Sequence, residues 1–192
     1  MMSEKELSVA INVSRTPVRE AFIKLRKEGL VDILPQRGTI VSKIDLKRVE
    51  EERFIRESLE LAIFNTAQTA FPKEGCIILR DNILEQAKFI KEEQSEQFFQ
   101  LDEEFHKTIF LSCGKELCWE VIQNVSGHYK RMRVMTLWNE KSPIEIYEQH
   151  KILLDCIENN KFLKAQEVLK KHLCKLKDEE LEMKEKYPEY FQ

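Results

Sequence analysis

The chain has 192 residues, 42% hydrophobic and 34% charged, with only five Gly and five Pro. Such a composition fills a core and suits a mostly helical protein with short connections. No apolar run approaches the about 20 residues of a membrane span. The start MMSEKEL also lacks the basic end and apolar core of a signal peptide, so a cytoplasmic protein with no membrane association is expected.

The five cysteines, Cys76, Cys113, Cys118, Cys156 and Cys174, are odd in number and form no CxxC pair. They read as reduced thiols in core or half-buried positions. The net charge of −3 conceals an asymmetry. Residues 1–48 hold ten Lys and Arg against six Asp and Glu, a net +4, and residues 49–192 hold 21 against 28, a net −7. A basic head on an acidic body suggests that the head meets a polyanion.

Ser3-Glu-Lys-Glu6 has the form of a capping box and predicts a short helix with Leu7, Ala10 and Ile11 inward. A turn at Asn12–Ser14 follows. Ser14 is placed to cap a second helix that carries Pro17 in its first turn, presents Val18, Phe22 and Leu25 on one face and ends at Gly29. Two short β segments, Leu30–Ile33 and Thr39–Val41, flank Pro35-Gln-Arg-Gly38. Helix, turn, helix and hairpin make a winged helix-turn-helix over residues 1–44. Arg15 and Arg19, one turn apart at the start of the second helix, suit paired hydrogen bonds to guanine, and Ser14 and Thr16 suit phosphates. Gln36, Arg37 and Gly38 form a basic wing tip. Taken alone, SRTPVRE is equally a solvated basic helix.

The segment SEKELSVAINVSRTPVREAFIKLRKEGLVDILPQRGTIVS resembles the DNA-binding domain of GntR-family bacterial transcription regulators, without gaps from Ser3 to Ser42. The resemblance implies contacts to a double-stranded DNA operator by Lys5, Ser14, Arg15, Thr16, Arg19, Gln36, Arg37 and Gly38. Family members carry a further helix before this point, which packs under the other two. A chain that begins at the second helix is therefore expected to be N-terminally truncated, and dimerisation and ligand binding without DNA binding is one outcome of that loss.

From residue 45 to 192 the pattern predicts an all-α bundle of about six helices. Asp45 is placed to cap a helix reaching Pro72, with Leu46, Val49, Ile55, Leu59, Ala62 and Ile63 as its apolar positions. A second covers 74–93, and a third starts at Ser95 and stops at Gly114. A fourth runs over about 116–138. Ser142-Pro-Ile-Glu145, a second capping box, opens a fifth that Asn159-Asn160 breaks, and a sixth runs from 162 towards Tyr187.

His150 and His172 stand eleven residues either side of Lys161. If the turn between the last two helices is centred there, both imidazoles lie about 16 Å from it, level on antiparallel neighbours. Asp102 and His106, at i and i+4, share a helix face. Three imidazoles and a carboxylate with one or two open positions suit Zn²⁺, Ni²⁺, Mn²⁺ or Fe²⁺. Asp102 and His106 alone read more readily as a surface or capping pair than as a site.

The body resembles the ligand-binding domain of GntR regulators of the FadR branch, of the metal-binding FCD type, on FLDEEFHKTIF and EQHKILLDCIENNKFLKAQEVLKKHL. The resemblance implies that Asp102, His106, His150 and His172 hold a divalent metal, zinc foremost, and that the protein is a homodimeric, ligand-responsive regulator, a repressor sensing a small carboxylate effector. Arg56, in IRESLE, matches the family's VRxxLE and is a candidate to bind the effector. Arg131 and Arg133 are candidates for the cavity beside the metal, or are exposed. His128 reads as a polar surface or cavity residue, and Trp119, Trp138 and the Phe residues as core. Alternatives are a metal-sensing regulator, a metal of purely structural use, and a metalloenzyme, for which no HExxH is present.

Overall fold

A hydroxyl begins the first element of the computed structural model, which describes residues 1–66, 71–137 and 141–192. Ser3 Oγ accepts from the Glu6 amide at 3.1 Å and starts α1 (Glu4–Ala10). Helix α2 (Arg15–Lys27) follows the turn. Ser14 stands at its N-cap in extended geometry, but its hydroxyl makes no capping bond, contrary to expectation. Gly29, at φ +75°, ends α2 in a conformation that costs other residues strain, and the Leu30 amide reaches back to Leu25 O at 2.9 Å. Strands β1 (Val31–Leu34) and β2 (Gly38–Val41) pair antiparallel from Val31↔Val41 to Leu34↔Gly38 and make the wing. Met2 adds a bridge to Thr39 on the outer edge of β2.

The body contains seven helices among the described residues: α3 (Leu46–Thr66), α4 (Lys73–Lys91), α5 (Ser95–Ser112), α6 (Glu116–Val125), α7 (Gly127–Thr136), α8 (Lys141–Glu158) and α9 (Phe162–Lys186). Asp45 caps α3 by accepting from the Lys47 amide at 2.9 Å. Ser95 is the first residue of α5 rather than its cap. The reach of α3 towards Pro72, the Ser142 capping bond and the core position of Trp138 concern segments or side chains outside the described residues.

The expected fourth helix is two. Ser126 turns its hydroxyl back to the Ile122 carbonyl, and its backbone leaves helical geometry at φ −99°, ψ 26°. The break lets the N-terminus of α7 meet the head. A Cβ added at Gly127 would stand 2.8 Å from the Glu28 carbonyl oxygen, so glycine alone permits this approach.

One apolar cluster joins α3 to α6, α8 and α9 through residues such as Phe64, Leu79, Phe105, Trp119, Leu153 and Leu169. A second lies nearer the head and contains Ile44, Val49, Tyr129, Met132, Leu176, Met183 and Phe191. On α9, Leu173 belongs to the first and Leu176 to the second.

Helix α3 departs most from its expected pattern. Of its expected apolar positions, Val49 and Ile63 are buried, Leu46, Ile55 and Leu59 are half-buried, and Ala62 is exposed. Glu52, Arg53, Arg56 and Glu60 complete the buried face between Val49 and Ile63.

The C-terminus closes the structure. After a 3-10 turn at Pro188–Tyr190, Ile44 N donates to Tyr190 O at 2.7 Å and Gln192 N to Ile44 O at 3.0 Å. The last residues thereby clamp the segment joining head to body, with Phe191 only 2% exposed. Phe191→Ala is expected to cost about 3–5 kcal/mol in urea unfolding, and to speed proteolytic cleavage between Ser42 and Leu46 relative to the wild type.

Candidate metal centre and DNA-reading surface

Asp102 and His106 project inward from α5, His150 from α8 and His172 from α9. One ligand atom from each lies within 4.8 Å of every other. Donors so close together surround one point, as the ligands of a single ion must. The expected level placement of the last two helices is observed, with the His150 and His172 ring centroids 4.9 Å apart. Phe105 stacks on His150 at 4.1 Å and fixes the ring plane.

Each imidazole uses Nδ1 for an outer partner and turns Nε2 inward. His106 Nδ1 bonds Glu60 Oε2 at 2.7 Å, His150 Nδ1 bonds Gln86 Oε1 at 2.9 Å, and His172 Nδ1 bonds Gln149 Oε1 at 2.8 Å. Outer partners of this kind orient metal-binding histidines and set which nitrogen is free. His106 Nε2 and His172 Nε2 are 3.0 Å apart. His150 Nε2 and Asp102 Oδ1 face one another at 3.5 Å, and both are buried without a hydrogen-bond partner. Two orphaned buried atoms in a converging donor set are what a cation would satisfy.

Electrostatics favour the ligating protonation states. Burial pushes His150 down to about 3 and His172 well below the usual imidazole range, so both are neutral. Burial opposes ionisation of Asp102, yet the Arg133 guanidinium holds it below the ordinary carboxylate range. Burial likewise opposes ionisation of Glu60, and His106 and Arg56 beside it outweigh that cost, taking Glu60 to about 2.

Behind the donors runs a ring of ion pairs. Arg56, 1% exposed, donates to Glu60 at 2.6 Å and to Glu103 at 2.9 Å, and Arg133 pairs with both Glu103 and Asp102. A cavity of about 40 Å³ opens beside Asp102 and His172, with Arg133, Tyr129, Thr136 and Lys175 among its lining residues. Phe98 and Leu137 line both this cavity and an outer pocket of about 380 Å³.

The three candidate effector-binding arginines separate. Arg133 lines the cavity. Arg56 does not, because its guanidinium is buried against Glu60 and Glu103. Arg131 points away, donating to Ser42 O at 2.8 Å at the head. His128 is not a surface residue. It is buried between head and body, accepts from the Asp45 amide through Nδ1 at 3.1 Å, and packs over Gly29. Sequence reasoning passed over Glu60, Asn82, Gln86, Glu103 and Gln149. The Arg56/Glu60 and Asn82/Gln86 pairs, each one turn apart on helices that must bury a face, were the available signals.

On the head, Lys5, Ser14, Arg15, Thr16, Arg19, Gln36 and Arg37 are exposed and Gly38 is half-buried. Glu4 holds Arg19 through Nε at 3.1 Å and Nη2 at 2.9 Å, across the two helices of the helix-turn-helix. That bond fixes the direction of one of the two arginines suited to base edges.

Residues 1–41 match the family described as bacterial regulatory proteins, gntR family, and residues 53–174 match the FCD domain. The chain is 32% identical over 190 residues to the HTH-type transcriptional repressor RspR of Escherichia coli K12, covering 99% of this chain and 83% of that protein. It is 33% identical over 190 residues to an HTH-type transcriptional regulator of Streptomyces ambofaciens, covering 99% and 80%. A GntR regulator structure from Rhodococcus sp. RHA1 superposes with TM-score 0.75 at 19% identity, over 90% of this chain and 82% of that one. With both halves matched and the winged head joined to this helical body, the chain belongs to the GntR family of bacterial transcription regulators, as a helix-turn-helix DNA-binding protein with an FCD domain.

Proposed function

We propose that this protein is a cytoplasmic, homodimeric repressor that senses a small carboxylate through a divalent metal held by Asp102, His106, His150 and His172. The division of labour is residues 1–44 for DNA and 45–192 for the effector and dimer contacts. The observation that carries the reading is the pair of orphaned acceptors, His150 Nε2 and Asp102 Oδ1, within a four-donor set. Glu60, Asp102 and Glu103 are balanced by Arg56, Arg133 and Lys130, whose Nζ lies 3.9 Å from Glu103 Oε2. A divalent ion therefore gives the site a net positive charge, which an incoming carboxylate lowers. The metal would supply an anion-accepting coordination position, and Arg133, beside it, offers a fork suited to the same carboxylate. Zinc is the first choice, with Ni²⁺, Mn²⁺ or Fe²⁺ compatible with the same donors. Regulators at 32% and 26% identity bear the name repressor, which supports that sign of control.

Signal transfer uses α7 and α9. Arg133 at the cavity is two residues from Arg131 at Ser42 and five from His128 under Gly29. His172 lies on the helix that leads to the Phe191 clamp on Ile44. Occupation of the cavity that draws on Arg133 or His172 would then change how the head is held, and operator affinity by the coupling free energy. A purely structural metal is the second reading, favoured by the small size of the inner cavity.

The full chain should bind one Zn²⁺ per protomer in a chelator-competition titration, with His106→Ala or His172→Ala abolishing uptake. Small carboxylates should raise the melting temperature of the metal-loaded chain and leave the chelated chain unchanged; equal shifts in both would favour the structural reading. For DNA, palindromic duplexes selected from a random library provide the probe. Arg15→Ala should cost about 1–3 kcal/mol of base discrimination, whereas Arg37→Ala should weaken all duplexes alike and flatten the salt dependence by about one counterion.

A further inference from the structure

We propose that Asn82 and Gln86 are positioning residues for the metal centre: with the Leu101 carbonyl they lock His150 in the tautomer whose Nε2 lone pair faces Asp102. The assignment follows from donors and acceptors alone. A backbone carbonyl only accepts, so the Asn82 atom 2.9 Å from Leu101 O is its amide nitrogen. Asn82 therefore turns its oxygen to Gln86, and the Gln86 atom 2.7 Å away is also an amide nitrogen. Gln86 then presents its oxygen to His150 Nδ1 at 2.9 Å, which must carry the proton. Neither amide can flip without placing two acceptors or two donors in contact.

The consequence is unusual for a buried imidazole beside a carboxylate. Left to itself, His150 would carry its proton on Nε2 and donate to Asp102 Oδ1, 3.5 Å away. The relay forbids this, and both atoms stay without a partner. Gln86 is fully buried and Asn82 nearly so, which keeps water from replacing a broken link. Leu101 directly precedes Asp102 on α5, so one relay ties the helix carrying the carboxylate ligand to the histidine opposite it. It thereby keeps a cation-binding pair open in advance of the ion.

This inference takes its purpose, though not its geometry, from the metal reading above, and the test separates the two. In the full-length chain, labelled with ¹⁵N-histidine and stripped by chelation, nitrogen NMR reads the His150 tautomer, and competition against a chromogenic chelator reads affinity for Zn²⁺ alone. The wild type should carry its proton on Nδ1. Asn82→Leu frees Gln86 to rotate, so His150 should move its proton to Nε2 and Zn²⁺ affinity should fall about 10–100-fold. A carboxylate can only accept, so the double variant Asn82→Leu/Gln86→Glu should restore both the tautomer and the affinity. Gln86→Met reaches the same switch without touching position 82, should Asn82→Leu not fold. A wild-type proton on Nε2, an unaltered tautomer in Gln86→Met, or a double variant no better than Asn82→Leu would overturn the relay. A wild-type chain with the proton on Nδ1 that takes up no Zn²⁺ supports the relay and overturns the metal reading.

Discussion

Two guanidinium groups and three carboxylates buried against one another set the geometry of the helical body. Arg56 is held by Glu60 and Glu103, and Arg133 by Glu103 and Asp102. Taking each ion out of water costs several kcal/mol even after relaxation, and only its partners offset that cost. Helix α3 cannot rotate or slide without stranding Arg56 and Glu60, nor α7 without stranding Arg133. The ring therefore fixes where Glu60 meets His106 and where Arg133 meets Asp102. The charges behind the four donors aim Asp102 and His106, whereas Gln86 and Gln149 aim His150 and His172.

The same rigidity has consequences at the head. Helix α7 is ten residues long, and its side chains reach the cavity at Arg133 and the head at His128 and Arg131. The Ser126 break aims its N-terminus at Glu28, and Gly127 allows the contact. Helix α9 carries His172 and ends beside the Phe191–Ile44 bridge. Both helices therefore span the distance from the four-donor cluster to the junction with the head.

Much of the head was legible because its signals are local. A capping serine three residues before a glutamate, a glycine after thirteen helical residues, and Pro-Gln-Arg-Gly between two β-rich runs each act within a few residues of chain. Helix existence in the body was legible for the same reason, from periodicity and breaks. The failures are instructive. Apolar periodicity on α3 found Val49 and Ile63, with Leu46 and Leu59 packed at the edge of the core, but not that the same buried face holds Glu52, Arg53, Arg56 and Glu60. A charged residue reads as solvated until the partner that permits its burial is known, and Glu103 lies 47 residues from Arg56. The break at Ser126 was invisible because serine is tolerated within helices, and only the contact with the head makes a bend there useful.

The sequence by itself determined the winged head, the helical body, and the spacing that levels His150 with His172 and stacks Asp102 on His106. These depend on helix rise, turn chemistry and residue type, which are properties of short segments. Tertiary structure alone decided that Arg56 and Arg131 lie away from the cavity, that His128 seals the junction, and that Leu101, Asn82 and Gln86 form one line of hydrogen bonds ending at His150. Each of those roles is conferred by a group distant in the chain. Burial makes hydrogen bonds and charges obligatory, and which partner satisfies them is known only once the helices are packed.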